Sequence, residues 1–457
     1  MSFASAAQPP TGGRDLPALS TPVPGPASRA WLARFAAVAA PMGPRAAWPT
    51  VVEGSGEPDA GGVGTIVYRE GIGANVIDVD GNRFVDLAAG FGSLLLGHRP
   101  ARVAAALEAQ AARLWQSLGD LHPSDVKIRL LERLALRAGV GQGRGMLGQS
   151  GADALSAASK TAVLHTGKAG VVAFTGAYHG LSYGPLALCG LRESYRAPFA
   201  AQLNPAVTFV EYPSSPAALE PALAGVRRAL ELRSVGAVVF EPILGRGGVL
   251  VPPAGFAERL GALCREHGVV LIADEVWTGL GRSGEWLLSQ AHGADPDVVC
   301  LGKGLGGGLP ISACIGKAPV LAAWSRDAEV VHTSTFAGAP LAAAAALELL
   351  DALEAERLVE RARRVGEGFA RELRAVLAAV WPAGWEVRGA GLMLGLDLGP
   401  ARLTALELQR ELLARGYITS LGGGRRDCLV LTPPLDIAEA QLLGFVRCLD
   451  ACLRAHA

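Results

Sequence analysis

Lysine is scarce in this chain. Of its 42 basic residues only five are lysines, namely Lys127, Lys160, Lys168, Lys303 and Lys317, and arginine supplies the rest. Chemistry that needs a side-chain primary amine therefore has five candidates. Charge is sparse as well: 18% of residues are charged, and 42 acidic residues balance the 42 basic ones. A net charge of zero excludes a global field that would gather nucleic acid or an anionic membrane, so small molecules and copies of the chain are the expected partners. Long apolar runs are missing, because Arg, Glu, Gly or Pro interrupts each of them before the roughly 18 to 20 residues that a bilayer span needs. The seven cysteines are odd in number and scattered, without the CxxC pairs of a zinc site, so no metal is expected and the thiols are read as reduced. The opening MSFASAAQPP lacks a basic segment followed by an apolar one, which predicts no secretory signal and a cytoplasmic location.

What is abundant is apolar surface. Half of the 457 residues are hydrophobic, enough to rule out a mainly disordered chain, and the length corresponds to roughly three domain-sized units. Residues 1–28 are the exception, because prolines at 9, 10, 17, 22, 24 and 26 among Ala, Ser and Gly predict a disordered tail. From 65 to 98, apolar and polar residues alternate around Asp80-Gly81-Asn82, which predicts a β-hairpin, and a helix follows over about 100–117. Short apolar runs at 171–174, 207–212, 237–240, 269–273, 298–301 and 313–315 alternate with helical segments such as 255–267. Strands of that kind indicate an α/β layered domain with a mostly parallel sheet, whose ligands gather at the strands' carboxyl ends. One long helical pattern over 341–379 leads to a glycine-containing segment and helices near 403–415 and 436–455. The predicted organisation is a large domain over 100–338 and a smaller α+β domain assembled from 29–99 and 339–457.

The five lysines differ in context. Lys127 and Lys160 lie in helical stretches and Lys168 in a Gly-bounded turn, all three read as solvated. Lys303 follows the apolar strand VVCL and Gly302, at a carboxyl end. Asp274 holds the same position after VVLIA, 29 residues earlier, about one helix plus one strand. Alone, Asp274 reads equally well as a helix N-cap. Paired with Lys303 it fits a Schiff-base lysine and an acid that keeps a pyridinium nitrogen protonated.

Nine motifs, in order, carry a resemblance that spans about residues 65–450: VIDVDGNRFVDLAAGFGSLLLGH, GQSGADA, AYHGLSYG, VVFEPILGRGGV, LIADEVWTGLGRSG, GKGLGGGLP, STFAGAPLAAAAA, RGAGLMLGLD and VLTPPL. The chain resembles the class III (subgroup II, omega-type) aminotransferases, pyridoxal-phosphate enzymes of fold type I. The resemblance implies a seven-stranded-type sheet between helices plus a smaller α+β domain, pyridoxal 5'-phosphate as cofactor and ping-pong transfer of an amino group from an amine or amino acid to a keto acid. It places the cofactor phosphate at Ser150, Gly151 and Ala152, where a helix N-terminus offers backbone N–H groups. It stacks Tyr178 on the pyridine ring, sets Val276 on the opposite face, puts Asp274 on the ring nitrogen and makes Lys303 the covalent anchor. His179 is a local hydrogen-bonding candidate beside them, and Glu241 is read as organising its strand end. Thr335 would reach the phosphate of a neighbouring subunit, which implies a homodimer with shared sites.

Several positions depart from the family pattern. Its Ser-Gly-Thr-Glu-Ala is here Ser-Gly-Ala-Asp-Ala, which drops a hydroxyl contact but keeps backbone donors. Trp277 stands where a glutamine often touches the cofactor's phenolic oxygen, and with Phe91 it is a candidate for the substrate wall. Ala339 replaces an asparagine. Many members carry a glutamate that masks and unmasks a later arginine; the corresponding residues here are Arg246 and Val430. Arg246 is then either a substrate-carboxylate binder or structural, with Arg425 and Arg426 as rival binders in a glycine-rich loop. The motifs also leave open the related racemases, aminomutases and decarboxylases, and a non-catalytic protein of the same fold.

Overall fold

The computed structural model describes residues 12–40, 65–138, 143–325, 329–381, 383–399 and 403–456. At its centre is a seven-stranded sheet built from β4 (Arg144–Gly148), β5 (Gly170–Phe174), β6 (Val207–Val210), β7 (Val235–Phe240), β8 (Val270–Asp274), β9 (Val298–Leu301) and β10 (Ser312–Gly316), in the order β4-β10-β9-β8-β7-β5-β6. Strands β5 to β9 pair in parallel, while β10 runs antiparallel to both β9 and β4. Every residue of β5, β7, β8 and β9 is buried, as strands sandwiched between helices must be. Their side chains alternate. Val171, Ala173, Val239 and Ile272 pack under the helix Gly151–Thr166, whereas Val172, Phe174, Phe240 and Leu271 face the helices Leu219–Leu230 and Phe256–His267. Each such leucine or phenylalanine taken from water contributes about 1.5–3 kcal/mol. Strand β4 has no counterpart among the apolar runs because Arg144, Gly145 and Gly148 interrupt it, as an edge position tolerates.

Two smaller sheets flank this layer. The first contains β1 (Tyr68–Ile72), β2 (Asn75–Asp78) and β3 (Arg83–Asp86), the expected hairpin extended to three strands, with β13 (Tyr417–Ile418) parallel to β3. The second is antiparallel and contains β11 (Glu386–Ala390), β12 (Met393–Asp397), β14 (Ser420–Gly422) and β15 (Cys428–Leu431). The long helical pattern over 341–379 is two helices, Pro340–Ala355 and Leu358–Val380, broken where Arg357 takes a left-handed conformation with φ 50°. Periodicity continued across the break because both helices bury one face.

The predicted tail needs correction. Residues 1–11 lie outside the described residues, but 12–28 pack on the hairpin. Ala18 bridges Arg83, Asn82 Oδ1 accepts from the backbone N–H of Ser20 and Thr21 at 2.8 and 3.0 Å, and Asn75 exchanges hydrogen bonds with Asp15. Asp80 accepts from Ala27 and Ser28 at 2.6 and 2.8 Å, capping the helix Pro26–Val38. Composition described an isolated segment, whereas turn side chains more than 50 residues away supply its partners. Among the described residues no helix is long and apolar enough to cross a membrane.

Candidate active site

Four ionisable side chains leave the sheet at neighbouring carboxyl ends. His179 follows β5, Glu241 follows β7, Asp274 ends β8 and Lys303 follows β9 after Gly302. Lys303 itself adopts φ 38°, an uncommon conformation for a residue with a side chain. Together with Gly151, Ala152, Tyr178 and Gly180 these residues line one cavity, which Arg246, Val276 and Trp277 complete. Nine of the residues expected at the site thus meet. Glu241 and Gly180 join them, and Glu241 was legible by the rule that found Asp274, since it too closes an apolar strand.

The polar contacts are specific. Asp274 Oδ2 lies 2.7 Å from His179 Nδ1, and Asp274 Oδ1 accepts from the Val276 N–H at 3.1 Å. Glu241 accepts from the Tyr178 and Gly245 N–H groups at 2.7 and 2.9 Å, tying the loop after β5 to the turn after β7. Burial alone would lower the affinity of His179 for a proton, but its hydrogen bond to Asp274 and the carboxylate charge carry it above the ordinary value. Burial pushes Glu241 up to about 7, His179 opposing. Burial likewise brings Lys303 down to about 8, although Asp274 and Glu241 pull the other way. A lysine so shifted is partly neutral near physiological pH, as a nucleophilic amine must be.

The site also has a cradle for an anion. Ser150 caps the 16-residue helix Gly151–Thr166, its hydroxyl accepting from the Asp153 N–H. A Cβ at Gly151 would come within 2.8 Å of Val276 Cγ1. One at Gly180, where φ is 111°, would come within 2.7 Å of Ala152 Cβ. Only glycine lets these segments converge on the helix N-terminus. Among the residues that line the cavity, His179 Nε2, Arg246 Nε and Trp277 Nε1 are buried and make no hydrogen bond within the described protein. Unpaired donors, a helix N-terminus, a carboxylate and a lysine whose affinity for a proton is lowered suit a phosphorylated pyridine aldehyde, so the residues present fit the expected cofactor.

A family pattern described as aminotransferase class-III matches residues 59–453. The chain belongs to the class III aminotransferases. This class III aminotransferase is 38% identical over 394 residues to the acetylornithine aminotransferase of Mycobacterium tuberculosis, covering 86% of this chain and 92% of the relative. It is 34% identical over 399 residues to the 5-aminovalerate aminotransferase of Pseudomonas aeruginosa, covering 84% and 92%. A solved amine transaminase from an uncultivated Pseudomonas species, in its pyridoxal-phosphate-bound form, superposes with a TM-score of 0.80 at 29% identity over 92% of this chain and 98% of that one. Ornithine aminotransferase from Toxoplasma gondii gives 0.78 at 31% identity over 86% and 90%. The fold is therefore fold type I, and the enzyme is a pyridoxal-phosphate-dependent aminotransferase.

Four expected site residues lie elsewhere. Arg425 and Arg426 are exposed and do not line the cavity, although their loop touches its rim through the Gly423 N–H, which donates to Arg246 O at 2.9 Å. Phe91 is 58% exposed and lines a separate hollow with Tyr68 and Leu413. Thr335 is exposed outside this chain's cavity, its carbonyl accepting from Gln116 at 2.9 Å. Val430 is fully buried beside Trp277 and Met393, so β15 supplies no arginine to the site. Lys127 also departs from expectation. It is buried, with Nζ 2.6 Å from Asp120 and 3.2 Å from the Ala337 carbonyl, because its stem packs inward while its head finds partners.

Proposed function

We propose that this aminotransferase works on partners that carry a carboxylate, with Arg246 as the group that receives it. The observation that carries this reading is the placement of Arg246 in the cavity wall, its guanidinium 5.6 Å from the Tyr178 ring centroid and its Nε buried and unpaired. A buried donor without a partner costs free energy, which an incoming carboxylate recovers through charge-assisted hydrogen bonds. The relatives are named for acetylornithine and 5-aminovalerate, both amines that bear a carboxylate, which supports the same class here.

Bound in this cavity, pyridoxal phosphate supplies an electron sink for the pair of electrons left when the substrate carbon loses its proton. The chain's own residues would do the rest. Lys303 would hold the cofactor covalently, and its Nζ, when free, would carry the proton away from the substrate carbon. Asp274 keeps the ring nitrogen protonated, with His179 fixing the carboxylate's orientation. Tyr178 and Val276 would hold the ring, and Ser150, Gly151 and Ala152 would take the phosphate.

Replacing Arg246 by Ala should raise KM for keto acids and amino acids by roughly one to two orders of magnitude, as loss of a charge-assisted bond of about 1.5–3 kcal/mol predicts, while simple amines change little. Because Arg246 has no masking glutamate, pyruvate and alanine should outperform glutamate. Steady-state kinetics on the purified variant decides the assignment. Unchanged KM values there, with a rise in Arg425→Ala or Arg426→Ala instead, would move the carboxylate site to the loop.

A pH profile tests Lys303 separately. Only the neutral amine attacks an aldehyde, and in the folded chain Lys303 becomes neutral above about 8 instead of its usual 10.5. The rate at which the apoenzyme captures pyridoxal phosphate, followed by stopped-flow absorbance, should therefore rise with pH and reach half its maximum near 8. A midpoint near 10.5 would place the reacting lysine in open water.

Exposed Phe336 and Trp115 flank the Thr335–Gln116 contact, and an apolar surface there supports a second copy as its cover, with Thr335 serving that copy's phosphate. Pairing of β13 with β3 supports one small domain assembled from 29–99 and 339–457 beside a large domain over 100–338. Seven free cysteines support a cytoplasmic setting.

A further inference from the structure

Trp277 is a closely packed wall of the cavity. It is 6% exposed, and two glycines from separate segments press on it. A Cβ at Gly92 would run into the indole Nε1, and one at Gly245 would run into Cε3. Neither backbone can retreat freely. Gly92 has a left-handed φ of 81°, and the Gly245 N–H is held by Glu241 at 2.9 Å. Met393 Cε closes in behind, 3.1 Å from the position that a Gly245 Cβ would take. On its open side the indole meets Lys303, whose Nζ lies 4.4 Å from the ring centroid.

That last distance locates a substrate group. In transamination the donor nitrogen takes the place of Lys303 Nζ, so the carbon that bears this nitrogen, and whatever it carries, must come to rest beside the indole. We propose that Trp277 is the specificity-determining wall of the donor site, and that it admits an aminated carbon carrying a hydrogen or a small group while rejecting one with a bulky second substituent. The inference rests on the transamination reading for the placement of the nitrogen. The wall's rigidity does not depend on that reading, since it comes from the two glycines. A flexible residue would yield to a larger donor, whereas an indole packed against the backbones of Gly92 and Gly245 resists displacement toward either.

The test uses stable conjugates that need no turnover, phosphopyridoxyl-alanine and phosphopyridoxyl-phenylalanine, titrated into the full-length apoenzyme by calorimetry. Wild type should bind the alanine conjugate roughly tenfold or more tightly than the phenylalanine one; Trp277→Ala should narrow the ratio to within about twofold, and Trp277→Phe should give an intermediate value. The two variants guard against a folding defect in either one. A ratio near unity in wild type, or one that neither variant moves, overturns the proposal. Single-turnover absorbance with alanine on the wild-type holoenzyme reads the other premise: no conversion there removes the transamination reading, whereas conversion with an unmoved binding ratio removes only the role of Trp277.

Discussion

Lys303→Ala should fold normally and lose transamination by on the order of 10⁴-fold or more, because in the proposed mechanism it removes both the covalent anchor and the base that moves the substrate proton. The other four lysines offer no substitute. Lys127 is paired with Asp120, Lys160 donates to the Val331 carbonyl at 2.8 Å, Lys317 bonds Asp295 and Asp297, and neither these three nor Lys168 lines the cavity. Stability should not fall. Burial holds the Lys303 ammonium near 8, below its value in the unfolded chain, so at neutral pH the folded state bears a cost for its charge that alanine relieves. Thermal unfolding of the apo form should therefore give a Tm equal to or above wild type. Borohydride reduction of the wild-type holoenzyme followed by peptide mapping should label Lys303; a label on any other lysine would sink the assignment.

The contrast between Lys303 and Lys127 shows what a sequence reveals about such a site. Lys303 was legible because a buried strand ends just before it, and the carboxyl end of a parallel strand is a place defined by local pattern and sheet handedness alone. Asp274 and Glu241 follow the same rule. Lys127 sits on a helix whose periodicity gives no sign that Asp120 and the Ala337 carbonyl converge on its head group. Distances across 210 residues of chain are outside what local pattern can carry.

The arginines divide in the same way. Arg246, Arg425 and Arg426 are alike as sequence, each in a glycine-rich stretch beside a strand. In the fold one of them faces the cavity and two face solvent, because Gly422 and Gly423 seat their loop against the backbone of Arg246 and send the next side chains outward. The segment 12–28 failed for the opposite reason. Proline-rich composition describes what a segment can bury by itself, whereas its order comes from Asn75, Asp80 and Asn82 on the hairpin.

Asp274→Asn should keep the fold and the cofactor, yet lower kcat by roughly 10²- to 10³-fold, the range seen when a group that stabilises developing charge is removed. The amide has the shape of the carboxylate and can still accept from the Val276 N–H, so the loop geometry after β8 survives. What disappears is the negative charge. A neutral amide cannot hold a proton on the cofactor's ring nitrogen, and without that proton the ring is a poorer sink for the electron pair left on the substrate carbon. A second readout separates this role from a structural one. The 2.7 Å contact with Asp274 is what carries His179 above its ordinary proton affinity against the opposing effect of burial, so in Asp274→Asn the His179 midpoint, followed by NMR, should drop below that of wild type. A variant that loses turnover with an unshifted His179 would show that the carboxylate does not govern the imidazole. Near-normal turnover would take Asp274 out of the mechanism and leave it as the residue that caps the end of β8.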